Sequence, residues 1–160
     1  MTVRPAKPED AAAIGKIYCD SWKAAYKGIV PQDYLDSLTP DDRTINPANY
    51  LVLESEEGVV FGLANLGSSR DKERPDWGEL RAIYLLPEYW RKGSGTALFQ
   101  GAEEELRRRG YSRYFLWAFC ENAQARRFYE KMGMRLSGRE QPFTLGGKEL
   151  WECRYEKELL

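Results

Sequence analysis

A chain of 160 residues suffices for one domain with a single core, and none of its apolar runs approaches the ~20 residues that span a bilayer. Its 24 lysines and arginines against 25 aspartates and glutamates leave a net charge of -1, so there is no overall basic footprint for nucleic acid or an anionic membrane, and any anion site must be local. No histidine is present; this removes Ser-His and Cys-His nucleophile pairs and the commonest zinc ligands, so no metal is expected and acid–base work falls to carboxylates, tyrosines, lysines or water.

Thr2 to Ala6 is short and β-compatible. Pro8, Glu9 and Asp10 then open a helix with acidic residues in its first turn, and Ile14, Ile17, Tyr18, Ser21, Trp22 and Ala25 follow at helical spacing. Gly28 and Pro31 end it. Pro31 can occupy the first position of a shorter helix carrying Tyr34, Leu35 and Leu38, and Thr39 to Ala48 reads as loop. Two β-rich runs, Tyr50 to Leu53 and Val59 to Leu66, flank Glu56, Glu57 and Gly58 as a hairpin. Ser68 to Trp77, polar and charged, reads as an exposed, mobile loop.

Leu80 to Leu86 has a strand pattern, Pro87 ends it, and from Thr96 the chain reads as helix. The stretch between them, Pro87 to Ala97, has the make-up of a phosphate cradle. Free N–H groups at a helix start, the positive end of its dipole, and Arg91 and Lys92 beside it favour an anion, while Gly93 and Gly95 carry no Cβ to hold a ligand off. An ordinary glycine-containing strand-to-helix turn fits this stretch alone equally well.

In the helix that follows, Leu98, Ala102 and Leu106 mark the buried face, and Glu103, Glu104, Glu105, Arg107, Arg108 and Arg109 read as a solvated one. Gly110 ends it, Tyr114 to Phe119 is an aromatic strand, and Asn122 is a good N-cap for a helix with Ala125, Phe128, Tyr129 and Met132 on its apolar face. A closing hairpin turns around Gly146 and Gly147. In its second strand Trp151, Cys153 and Tyr155 alternate with Glu152, Arg154 and Glu156, which predicts one buried and one wet face. Cys19, Cys120 and Cys153 form no Cys-x-x-Cys pair and read as small buried hydrophobes in a reducing compartment; with no signal-peptide pattern around Lys7, Glu9 and Asp10, a soluble cytoplasmic protein is expected.

Two nucleotide-binding motifs fail on spacing. A Rossmann fingerprint needs a third glycine where Leu98 stands, and a P-loop needs its lysine after the glycine, whereas Lys92 precedes it. The segment from Glu79 to Met134 instead closely resembles the acetyl-CoA-binding core of the GCN5-related N-acetyltransferase (GNAT) superfamily. The match rests on Leu85, Pro87, Lys92, Gly93, Gly95 and Leu98, then on Asn122, Ala123, Ala125, Phe128, Tyr129, Gly133 and Met134. Trp22, Ala25, Tyr26, Gly28 and Pro31 extend the resemblance to the first helix and substrate loop of small bacterial members, so it covers nearly the whole chain. Trp90 departs from it, standing where the family usually has Gln or Arg, and Arg91 stands where a small residue often follows.

The resemblance implies one α/β domain over residues 1–160, with a mixed, centrally splayed β-sheet flanked by helices. It implies direct transfer of an acetyl group from acetyl-CoA to a primary amine, with no acyl-enzyme. The cofactor would lie along Ile83, Tyr84 and Leu85, over Arg91, Lys92, Gly93, Ser94, Gly95 and Thr96, and against Asn122, with an N–H near Leu85 as oxyanion donor. Tyr129 is the candidate general acid, although a core aromatic would also sit there; Glu79 could relay the amine's proton through water, or be a solvated strand end. Asn122 also has a plain role as N-cap. Trp22, Tyr26 and Trp117 are candidate walls of the acceptor pocket, or simply core. A small amine is the expected acceptor, with a protein N-terminus or lysine as alternative, and a non-catalytic CoA-binding module is the competing class. Neither nucleic acid nor membrane is an expected partner; a homodimer is compatible.

Overall fold

Strand alternation and helical periodicity resolve into a mixed sheet with helices on both faces. The computed structural model describes residues 1–41 and 44–160. Among the described residues the strands are β1 (Thr2–Pro5), β2 (Tyr50–Glu54), β3 (Val60–Ser68), β4 (Gly78–Leu85), β5 (Arg113–Phe119), β6 (Arg135–Leu145) and β7 (Lys148–Glu158), in the order β1-β2-β3-β4-β5-β7-β6. The helices are α1 (Ala11–Ala25), α2 (Gln32–Ser37), α3 (Ser94–Arg108) and α4 (Ala123–Lys131). This is the expected single-domain α/β architecture. No helix of the described residues is long and apolar enough to cross a membrane.

The sheet opens at its centre. β4 and β5 run parallel and pair only at Gly78↔Tyr114 and Glu79↔Phe115, and the strands then diverge, leaving one edge of β4 unpaired up to Leu85. On its other edge β4 stays on β3 from Ser68↔Gly78 to Gly62↔Leu85, with a bulge in which Arg81 is the extra residue. A bulge increases local twist, which turns the far half of β4 away from β5. Neighbouring residues of β4 then face opposite layers. Tyr84 packs edge-on to Tyr18 of α1 at 5.5 Å, while Leu85 and Leu98 of α3 close over Gly62, where a Cβ would lie 2.6 Å and 3.3 Å from them.

Several sequence expectations are corrected. The cradle helix starts at Ser94 rather than Thr96, and Pro31 is the N-cap of α2 rather than its first residue. The loop expected over Thr39 to Ala48 includes Asp42 and Arg43, which lie outside the described residues, and ends in a 3-10 turn at Pro47–Asn49. Ser68 to Trp77 is tethered instead of free, because the Ser69 N–H donates to Trp77 O at 3.0 Å and Asp71 pairs with Arg154 at 2.7 Å.

That tether explains Arg154, expected on a wet face but only 1% exposed. Its guanidinium lies 3.8 Å over the Phe115 ring and is neutralised by Asp71 and by Glu156, 2.8 Å away, so the face is a second buried layer. Glu103 likewise leaves the expected solvated face of α3: it is buried, accepts from the Tyr114 hydroxyl at 2.7 Å and pairs with Lys157 at 2.8 Å. Cys19 is a free, buried thiol as expected, but Cys120, just past the end of β5, and Cys153, in the middle of β7, have Cα atoms 5.2 Å apart and form a disulfide.

Candidate active site

The turn after β4 is built around one carbonyl. Leu85 O accepts from the Trp90 indole N–H at 2.9 Å and from Ser21 Oγ at 2.7 Å. Trp90, the residue that departs from the family pattern, therefore pins the turn to the strand end. The Leu86 N–H donates to Phe61 O on β3 at 2.9 Å; by strand alternation the Leu85 and Ile83 amides face the other way, into the open splay. Leu85 thus presents its N–H there, while its own carbonyl is engaged by Trp90 and Ser21.

The chain next takes two left-handed residues, Arg91 at φ 62° and Gly93 at φ 83°. For arginine this conformation stores roughly 1–3 kcal/mol of strain, which the surrounding turn must hold. Gly93 is the N-cap of α3, no side chain caps the helix, and its first backbone bond runs from Ala97 N to Gly93 O. The N–H groups of Ser94, Gly95 and Thr96 are the orphans that precede that bond. A Cβ on Gly93 would meet nothing within 4 Å, so the space above it is open, whereas one on Gly95 would lie in ordinary contact with Phe128 at 3.7 Å. Only Gly93 is thus required by the backbone. Open amides, a positive helix end and Arg91 together suit a phosphate-bearing ligand.

These groups border a cavity of about 480 Å³ in the splay between β4 and α4. Its walls include Ile83, Tyr84, Leu85, Arg91, Gly93, Gly95, Thr96, Asn122 and Tyr129. Lys92 is exposed outside the lining, and Ser94 is buried at the helix start, reaching the site only through its amide. Asn122 caps α4, accepting from Ala125 N at 3.2 Å, and also lines the cavity. The Tyr129 ring rests near Phe99, Phe128 and Tyr155, and its hydroxyl makes no hydrogen bond among the described residues. Burial pushes that phenol above its ordinary pKa, with the neighbouring Tyr84 adding to the shift, so it stays protonated at neutral pH.

A second cavity, about 1100 Å³, opens on the α1–α2 face of the sheet. Trp22, Tyr26 and Trp117, the candidate acceptor-pocket walls, all line it, and Tyr26 and Tyr84 border both cavities. The Tyr26 and Tyr84 oxygens are 2.8 Å apart, and the Trp22 ring meets Tyr26 edge-on at 4.8 Å. Tyr84, expected only along the cofactor, thus also forms the wall between the two spaces. Burial raises both phenols, so both remain neutral donors.

Glu79 lies in the second cavity but is not a solvated strand end, being 2% exposed. Arg70 covers it: its Nη2 donates to Oε2 at 2.6 Å, its Nε to both oxygens at 3.2 Å, and its backbone N to Oε1 at 3.0 Å. The sequence points to the 68–77 loop on the acceptor side but not to its Arg70 and Asp71 individually, nor to Glu152 and Arg154, which all line this cavity. The signal that could have found them is the pairing of the charged 68–77 segment with the charged positions of β7. Glu152 is half-buried, receives only a 3.5 Å contact from Gln141 Nε2, and makes no ion pair among the described residues. Burial pushes its carboxyl above the usual range, and the Glu79 charge acts in the same direction against Arg70.

Comparison with known proteins gives one consistent family. The model of the acetyltransferase (GNAT) family matches residues 12–134. The N-acetyltransferase YuaI of Bacillus subtilis is 39% identical over 127 residues, covering 76% of this chain and 73% of its own. The spermidine N(1)-acetyltransferase of Thermoplasma acidophilum is 24% identical over 98% of both chains. Among solved structures, the PaiA N-acetyltransferase of Thermoplasma acidophilum in complex with coenzyme A superposes with a TM-score of 0.78 at 22% identity, over 98% of each chain.

Proposed function

Because this chain belongs to the acetyltransferase (GNAT) family, we propose that it uses acetyl-CoA to acetylate the primary amine of a small molecule, by direct transfer within a ternary complex. The single observation that carries this reading is the meeting of two cavities at Tyr26 and Tyr84, one beside the anion cradle and the unpaired edge of β4, the other lined by aromatic and charged groups. A relative of the same fold solved with coenzyme A supports the donor, and a relative that acts on spermidine supports a small amine.

The residues fit such a donor. The orphan amides of Ser94, Gly95 and Thr96 with the Arg91 guanidinium would hold its phosphates, and the open space above Gly93 admits them. The Ile83 and Leu85 backbone, facing the splay, would pair with its pantetheine arm as an added strand, while Asn122 would border that arm. When bound, acetyl-CoA supplies an activated acyl group with a good thiolate leaving group. The Leu85 N–H would stabilise charge on an acyl oxygen. Tyr129, protonated and without a hydrogen-bond partner among the described residues, would give a proton to the leaving sulfur.

The test is thiol release from acetyl-CoA across a panel of amines that includes spermidine, phenethylamine and glycinamide, with mass spectrometry of the amine. Amine-dependent thiol release with an acetylated product is expected. Tight acetyl-CoA binding with no transfer to any amine or peptide would refute catalysis and favour a CoA-binding module.

A further inference from the structure

We propose that Glu152, and not Glu79, receives the acceptor's ammonium group and takes its proton; the inference rests on the acetyl-transfer reading above. The two carboxylates share a cavity but differ in what already occupies them. Glu79 spends both oxygens on Arg70 and is shut from solvent, so a substrate cation would have to displace a guanidinium. Among the described residues Glu152 makes no ion pair and has only the distant Gln141 amide, while Arg70, bound to Glu79, acts on it from farther off.

Position favours Glu152 as well. It stands opposite Phe119 in the β5–β7 pairing, on the cavity face, and its charge acts on the hydroxyls of both Tyr26 and Tyr84, the residues that border the donor cavity. The charged and titratable groups around it are Arg70 and Glu79 from the loop and β4, Tyr26 after α1, Tyr84 from β4, and Arg139 and Glu140 from the paired strand β6, which line the same cavity; Arg139 is engaged by Asp71 and Glu73, and Arg154, two residues along β7, by Asp71 and Glu156. An ammonium beside Glu152 would therefore find a carboxylate that makes no ion pair among the described residues, with the nearby Arg70 committed to Glu79, together with two neutral phenols and aromatic walls. In the step itself a Glu152 carboxylate oxygen accepts one N–H proton, the amine keeps the freed electron pair for attack on the acyl carbon, and the proton passes on to water in the cavity. The half-buried carboxyl, held above the usual range, is better matched to that proton than an exposed one.

The test uses the amine from the panel above that gives the fastest thiol release, with the full chain. Glu152→Gln should lower kcat/KM by about 10²-fold, abolish the acidic limb of its pH profile and weaken calorimetric binding of that amine about tenfold or more, with the acetyl-CoA dissociation constant within threefold of the parent. Glu152→Asp should restore part of the rate and the limb. A Glu152→Gln enzyme with an unchanged pH profile and amine affinity would overturn the assignment, as would a matching loss of acetyl-CoA affinity, which would mark a structural role. Thiol release with none of the amines would overturn the acetyl-transfer reading itself, a different failure.

Discussion

The Tyr26 and Tyr84 hydroxyls, 2.8 Å apart, join α1 to β4 at the wall that both cavities share. Tyr26 is buried and Tyr84 half-buried, and burial holds both phenols protonated, so each benefits from its partner. Replacing either by Phe should cost about 1–2 kcal/mol in urea denaturation, and the double variant should reveal a coupling of about 0.5–1.5 kcal/mol. Purely additive losses would mean that the contact contributes nothing to holding the wall.

Tyr129 has ring contacts on several sides but no partner for its oxygen among the described residues. Removing that oxygen should therefore spare stability and affect chemistry. Tyr129→Phe is expected to lower turnover by about 10²-fold with acetyl-CoA affinity retained. Unchanged turnover, with chemistry shown to be rate-limiting, would remove Tyr129 from the acid role.

Gly93 combines a left-handed φ of 83° with empty space where a Cβ would go. Gly93→Val should cost about 1–3 kcal/mol in backbone strain yet still unfold cooperatively, while calorimetric binding of acetyl-CoA is lost, since the new side chain occupies the phosphate position. An unaltered dissociation constant would refute the cradle.

Arg154 holds the carboxyl of Asp71 below the usual carboxylate range. A depressed carboxylate stabilises the fold fully above its ordinary value of 3.8, and that contribution is lost as pH falls below it through the native value. Thermal stability should fall as the pH drops below about 3.8. Asp71→Asn, which leaves the buried Arg154 with Glu156 alone, should cost about 1–3 kcal/mol at neutral pH and flatten that acid slope. An equally steep slope in the variant would show that other carboxylates govern it.

The elements were legible because their signals are local: Pro87, Gly93, Gly110, Asn122 and Gly133 punctuate strand and helix wherever the chain turns. The candidate anion cradle could be proposed from the sequence for the same reason, its residues being contiguous from Arg91 to Thr96. The acceptor side was not. Glu79 meets Arg70 across a loop, Asp71 meets Arg154 across more than half the chain, and Glu152 enters the cavity only because β7 inserts between β5 and β6. Period-two alternation predicts a wet face for Arg154 and Glu152 because it counts one covered side, whereas the 68–77 segment and α1–α2 cover the other. Glu103 left its expected solvated face for a similar reason, since its partners Tyr114 and Lys157 come from strands that helical spacing does not register.

Direct transfer across the Tyr26–Tyr84 wall requires donor and acceptor to be bound together. Initial velocities measured while acetyl-CoA and the accepted amine are varied against each other test this most directly. The account predicts double-reciprocal lines that intersect, the pattern of a ternary complex. Parallel lines, with an acetylated protein trapped in the absence of amine, would contradict it.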